Sequence, residues 1–155
     1  MKNNRLRLIT LIAAGGMALA SFGAYAESEP EDLIKYRQAV MKAQAGYMGA
    51  LGLIVKGKVP YDKHAQGHAA ALSSLSRLVI NLFPEGSDMG ETKAKDKLWS
   101  DFENFQKAAR DSAKAAGALA KVAKKNDMAA IKAAYGDVGK SCKGCHKEYR
   151  KKAKK

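Results

Sequence analysis

Ile131-Lys132-Ala133-Ala134-Tyr135-Gly136-Asp137-Val138-Gly139-Lys140-Ser141-Cys142-Lys143-Gly144-Cys145-His146-Lys147-Glu148-Tyr149 is the stretch on which the fold turns. Ile131, Tyr135, Val138, Cys142, Cys145 and Tyr149 advance in alternating steps of four and three, the spacing of one inward face on a bundled helix. Asn126-Asp127 breaks the pattern upstream, and Asp127 is the predicted cap. Working outward, a third helix is expected from about Ala94 to Lys125, with Leu98, Phe102, Phe105, Ala109, Ala116 and Leu119 as its core stripe and Trp99 at one edge. Before it, Phe83-Pro84-Glu85-Gly86-Ser87-Asp88 reads as a loop. His68, Leu72, Leu75, Val79 and Leu82 mark a second helix that Asp62 is placed to cap. Lys56-Gly57-Lys58-Val59-Pro60 separates it from a first helix opening at Pro30-Glu31-Asp32, with Ser28 as cap. That helix carries Ile34, Met41, Met48 and Leu51 on one face, and its glycines at 46, 49 and 52 invite close approach of a helix or a planar ligand. No run reads as a persistent strand. The predicted architecture is all-α, an antiparallel up-down-up-down four-helix bundle.

Cys142-Lys143-Gly144-Cys145-His146 adds chemistry to the inward face. Two cysteines three apart, with histidine directly after the second, are the attachment signature of a c-type haem. One helical turn, about 4.5 Å of rise, separates the thiols, so both can bond one edge of a macrocycle while His146 ligates iron. One covalent haem per chain is the expected cofactor. A disulfide or a redox CxxC pair is the competing reading, but a thioredoxin-like pair should follow a buried strand, and none precedes Cys142.

The first residues read as an export signal over 1–26. Lys2, Arg5 and Arg7 form a basic start, Leu8 to Ala20 an apolar segment, and Ala24-Tyr25-Ala26 a cleavage site. The apolar segment is short and interrupted by Gly15 and Gly16, which argues against a membrane span after processing. Residues 27–155 should then form one periplasmic domain. The whole chain carries a formal charge of +13 and lacks a nucleic-acid recognition motif. Such a balance favours acidic protein partners or an anionic surface over nucleic acid.

Across the expected mature chain the sequence resembles the class II cytochromes c, the family of cytochrome c′ and low-spin cytochrome c-556. The residues that carry the resemblance are the late Cys142–His146 motif, Tyr149-Arg150 after it, Tyr36-Arg37-Gln38-Ala39-Val40-Met41 on the first helix, Phe83-Pro84 and Trp99. The resemblance places Met41 where c-556-like members carry a thioether ligand and cytochrome c′ carries a non-ligating residue. Periodicity alone would make Met41 a core filler, and Met48 lies roughly 10 Å farther along the helix. With His146 and Met41 as axial metal ligands, the resemblance implies periplasmic one-electron transfer at a six-coordinate low-spin haem, without enzymatic turnover. The alternative is a five-coordinate, cytochrome c′-like site for nitric oxide or another small gas. A peroxidase lacks support because no distal His and Arg pair is recognisable. The resemblance also makes Arg37 a haem-contacting residue and allows a homodimer through the first two helices. Lys140, Lys143 and Lys147, continuing through Arg150, Lys151, Lys152, Lys154 and Lys155, form a basic field suited to an acidic periplasmic redox partner. His64 and His68 share the i,i+4 spacing of a metal pair but have no accompanying carboxylate motif.

Overall fold

Pro30 in the first turn, followed by Glu31 and Asp32 against the positive helix end, starts α1 (Pro30–Val55). The computed structural model describes residues 29–152. The expected leader over 1–26, the Ser28 cap and the tail residues Lys154 and Lys155 lie outside the described residues. Gly57, at φ 63°, ends α1 in a left-handed turn. A single 3₁₀ turn, Asp62–His64, leads into α2 (Ala65–Leu78), so Asp62 lies inside the turn and makes no capping hydrogen bond. A short α3 (Lys97–Ser100) is followed by α4 (Phe102–Ala123) and α5 (Met128–Tyr149). Asp127 caps α5 as expected, accepting from the Ala129 and Ala130 amides at 3.0 and 3.1 Å.

The third helix differs from its expected extent. Ala94 pairs with Arg150 in an isolated bridge, with Lys95 N–H donating to the Tyr149 carbonyl at 2.9 Å and Lys151 N–H to the Lys93 carbonyl at 2.7 Å. These bonds hold residues 93–95 extended against the end of α5. The helix breaks again at Asp101, whose backbone (φ −125°, ψ 39°) is not helical. There the Asp101 carboxylate accepts from Asn104 at 2.7 Å and from the Tyr149 hydroxyl at 3.0 Å. Apolar periodicity continues through both interruptions, which is why it reads as one helix.

The long helices close a ring in which α1 packs on α2 and α5, and α4 packs on the same two. This is the expected four-helix bundle. Its core is divided. One cluster gathers Leu51, Ile54, Leu72, Leu119, Ile131 and Val138 with four alanines. The other gathers Val40, Val79, Leu82, Phe83, Leu98, Phe105 and Tyr149 with Ala94 and Ala109. Phe105 meets Phe83 and Tyr149 edge-on, at centroid separations of 4.9 and 5.6 Å, the arrangement that aromatic quadrupoles favour.

Of the three α1 glycines singled out above, only Gly52 serves a close approach. A Cβ there would lie 2.7 Å from the Tyr135 hydroxyl of α5, whereas Gly46 and Gly49 face open space. Gly46→Ala and Gly49→Ala should therefore each stabilise the fold by up to about 1 kcal/mol through helix propensity. Gly52→Ala should lose that gain and destabilise by about 1 kcal/mol as the rigid phenol ring is displaced. Urea denaturation of the three variants checks the ordering.

Candidate haem-binding site

α5 delivers the attachment motif to the seam between the two core clusters. Cys142 packs against the first and Cys145 against the second, so the two thiols straddle the division. Both are free. Next to them lies a cavity of about 510 Å³, lined from α5 by Cys145, His146 and Tyr149. Met41 and Ala45 of α1 line it as well, together with Val79, Phe83, Leu98 and Phe105. Its volume falls within the range of cofactor pockets. Among the described residues, four cationic side chains, Arg37, Lys42, Lys93 and Arg150, also border it, and no carboxylate does.

Burial, with a smaller contribution from Cys142, pushes the Cys145 thiol up to about 11. It therefore stays protonated at neutral pH, which opposes the alternative of a thiolate redox pair. Burial first, and Arg150 second, hold the His146 imidazole below its ordinary pKa. The neutral ring keeps the nitrogen lone pair that iron requires.

Arg37 is the least expected member of the site. The residue is only 3% exposed, yet none of the ion pairs among the described residues includes it. Nη1 donates to Ser87 Oγ at 2.8 Å, and Nη2 donates to the Ser87 carbonyl at 2.7 Å and to Thr92 Oγ1 at 2.6 Å. The rings of Phe83 and Trp99 lie 5.0 and 5.7 Å from its central carbon, within cation–π range. Desolvation lowers its pKa while Asp88 opposes the shift, but an arginine remains charged. A buried cation bordering an apolar cavity fits a dianionic macrocycle. So do two thiols at the seam and a neutral imidazole beside them. The residues present thus fit a covalently attached haem c.

Four of the five residues singled out from sequence, Arg37, Met41, Cys145 and His146, line one cavity, and Cys142 lies one helical turn from Cys145. The sequence reading missed the contribution of the loop, Ser87 and Thr92, whose path over α1 has no periodic signature. It also missed Lys42 and Lys93 at the rim. The basic field is partly neutralised, with Lys140 lying 3.3 Å from Asp137 on its own helix. Among the described residues, no group of three or more His, Cys, Asp or Glu is placed to hold a metal ion. His64 stacks on Tyr61 and His68 packs near Tyr47. No helix among the described residues is long and apolar enough to cross a membrane.

Comparison with known proteins bears directly on this site. The family model for cytochrome C′ matches residues 32–150. The cytochrome c′ of Rubrivivax gelatinosus is 40% identical over 126 residues, covering 80% of this chain and 98% of that protein. A cytochrome c-556 from Agrobacterium tumefaciens is 36% identical over 121 residues, covering 77% and 97%. Among solved structures, a nitric oxide complex of a cytochrome c prime variant from Alcaligenes xylosoxidans superposes with a TM-score of 0.76. It is 35% identical and covers 82% of this chain and 99% of its own.

These matches overturn the expected six-coordinate electron carrier with His146 and Met41 as axial ligands. The family model and the strongest relatives are cytochromes c′, and that solved relative is a complex with nitric oxide. An iron saturated by two protein ligands offers no position for such a gas. Spacing could not separate the two cases, because a methionine facing a cavity has the same periodicity whether its sulfur ligates or only packs.

Proposed function

The chain belongs to the cytochrome c′ family, and from that premise we propose that it is a periplasmic haem protein, mature over 27–155, that binds nitric oxide or another small neutral gas. In this reading His146 would ligate the iron, and Cys142 and Cys145 would carry the thioether links. The observation that carries it is the apolar patch that Met41 and Ala45 of α1 form with Val79 and Phe83 in the cavity wall, beside the polar Arg37, Gln38 and Lys42 of the same helix. Haem, when bound, would supply the iron that takes the gas. The protein's residues decide what reaches that iron. An apolar patch disfavours bound water where it lies and favours small neutral ligands. Among the described residues, no histidine other than His146 and no carboxylate lines the cavity, so these residues offer no acid–base pair of the kind that peroxide cleavage needs. The reading is one of binding rather than turnover.

Met41 is half-buried in this wall and packs against the core cluster that includes Phe83. The wild-type protein should be high-spin by optical and electron-paramagnetic spectroscopy and should bind carbon monoxide in the ferrous state. Met41→Ala should remain high-spin and bind the gas about tenfold faster, equivalent to about 1.4 kcal/mol less obstruction. Opening a cavity at a half-buried site should cost about 2 kcal/mol of stability, which thermal unfolding measured in parallel will show. A low-spin wild type that becomes high-spin on Met41→Ala would overturn the five-coordinate reading.

A further inference from the structure

A methionine that faces the haem cavity without ligating needs something to hold its sulfur elsewhere. We propose that Gln44 is the positioning residue that does so. The inference rests on the five-coordinate reading above and deepens it.

The Gln44 side-chain amide lies one helical turn beyond Met41 on α1, with Nε2 3.9 Å from Met41 Sδ. Gln44 is not among the residues lining the cavity, whereas Met41 is. The sulfur's hydrogen-bond donor therefore stands behind the cavity wall. The other end of the amide is anchored across the helix pair, where Gln44 Oε1 accepts from Ser76 Oγ of α2 at 3.3 Å. Ser76 is 4% exposed, and its single hydroxyl proton is shared between Gln44 and the nearer Leu72 carbonyl at 2.8 Å. The amide oxygen thus lies beside the Ser76 hydroxyl, and its nitrogen lies on the side of the thioether.

Thioether sulfur is a weak acceptor, and 3.9 Å is a long contact, so this bond would not outweigh a strong preference for iron. Methionine has flexible side-chain torsions and can take either orientation at small cost. Turning the sulfur into the cavity would leave a half-buried N–H without its acceptor, because the amide cannot follow without giving up Ser76. A tenfold bias corresponds to about 1.4 kcal/mol, within the range of one hydrogen bond and its unsatisfied donor. Gln44 accordingly sets whether the position-41 thioether is a wall or a ligand, and with it the access of gas to the iron.

The test compares wild type, Gln44→Leu, Gln44→Glu and the double variant Gln44→Leu/Met41→Leu, all as haem-loaded protein. Gln44→Leu removes both ends of the link, and Gln44→Glu keeps the Ser76 acceptor but has no N–H for sulfur. Electron-paramagnetic spectra should show a low-spin fraction appearing in both single variants, with carbon monoxide affinity falling about tenfold. In the reduced state, NMR of methyl-labelled methionine should show one methyl signal moved strongly upfield by the haem ring current. The double variant should return to high spin. If Gln44→Leu stays high-spin with unchanged gas affinity, the role of Gln44 is refuted while the five-coordinate reading stands. A low-spin signal that persists in the double variant also refutes it, because the new ligand is then not Met41. A low-spin wild type overturns the five-coordinate reading and this inference together.

Discussion

Replacing both Cys142 and Cys145 by serine should abolish covalent haem entirely. The wild-type chain should keep one haem mass through acid–organic extraction, and the double variant should show the mass of the polypeptide alone. The two thiols lie one turn apart on α5, at the boundary of separate core clusters, so each can bond the same edge of a macrocycle seated in the cavity. Serine oxygen does not replace thioether sulfur in that linkage. Each single variant should retain one link and accumulate at lower yield. His146→Ala should keep the covalent mass, because it leaves both thiols intact, and should lose the axial nitrogen and the wild-type spectrum. Haem mass on the double-serine chain, or a wild-type chain isolated with an intact disulfide, would remove the assignment.

The bundle was legible because its signals are local. Asp127 announces its cap, Gly57 closes α1, and the 131–149 stripe records which side of α5 faces inward. The attachment motif was legible because two thiols and an imidazole at that spacing have few other uses. What escaped depends on groups distant in sequence. The third helix breaks at Asp101 because a hydroxyl from Tyr149, 48 residues away, takes its carboxylate. Residues 93–95 are extended because the end of α5 pairs with them. Coordination escaped for a subtler reason: the position of Met41 was read correctly, but its spacing says nothing of the Gln44 amide aimed at its sulfur or of the ligand a related site accepts. The resemblance to low-spin members supplied a ligand set, and the stronger likeness to cytochromes c′ removed it.

Arg37→Leu should release the loop that borders the haem site, at a cost of about 3 kcal/mol. Without the guanidinium, the Ser87 hydroxyl and carbonyl and the Thr92 hydroxyl lose their donor, and hydrogen bonds from a charged group are worth about 1.5–3 kcal/mol each before compensation. Leucine restores packing against Phe83 and Trp99 but not their cation–π contact, which limits the recovery. Arg37→Lys keeps the charge, yet its compact ammonium cannot span the same acceptors as a planar fork, so about 2 kcal/mol should still be lost. The loop has other attachments: Gln38 Nε2 donates to the Glu91 carbonyl at 2.7 Å, and Lys95 and Lys151 pair with the α5 end and Lys93. Release should therefore be local. Hydrogen exchange at 87–92 should rise at least about tenfold while the amides around Phe105 in α4 keep their protection, and the melting temperature should fall by roughly 10 °C. If Arg37 served only to neutralise haem carboxylates, its loss would move the reduction potential and leave exchange at 87–92 unchanged. Unchanged exchange would rule out the clamp, whereas a loop that opens around an otherwise intact α4 would make Arg37 the residue that holds this side of the site together.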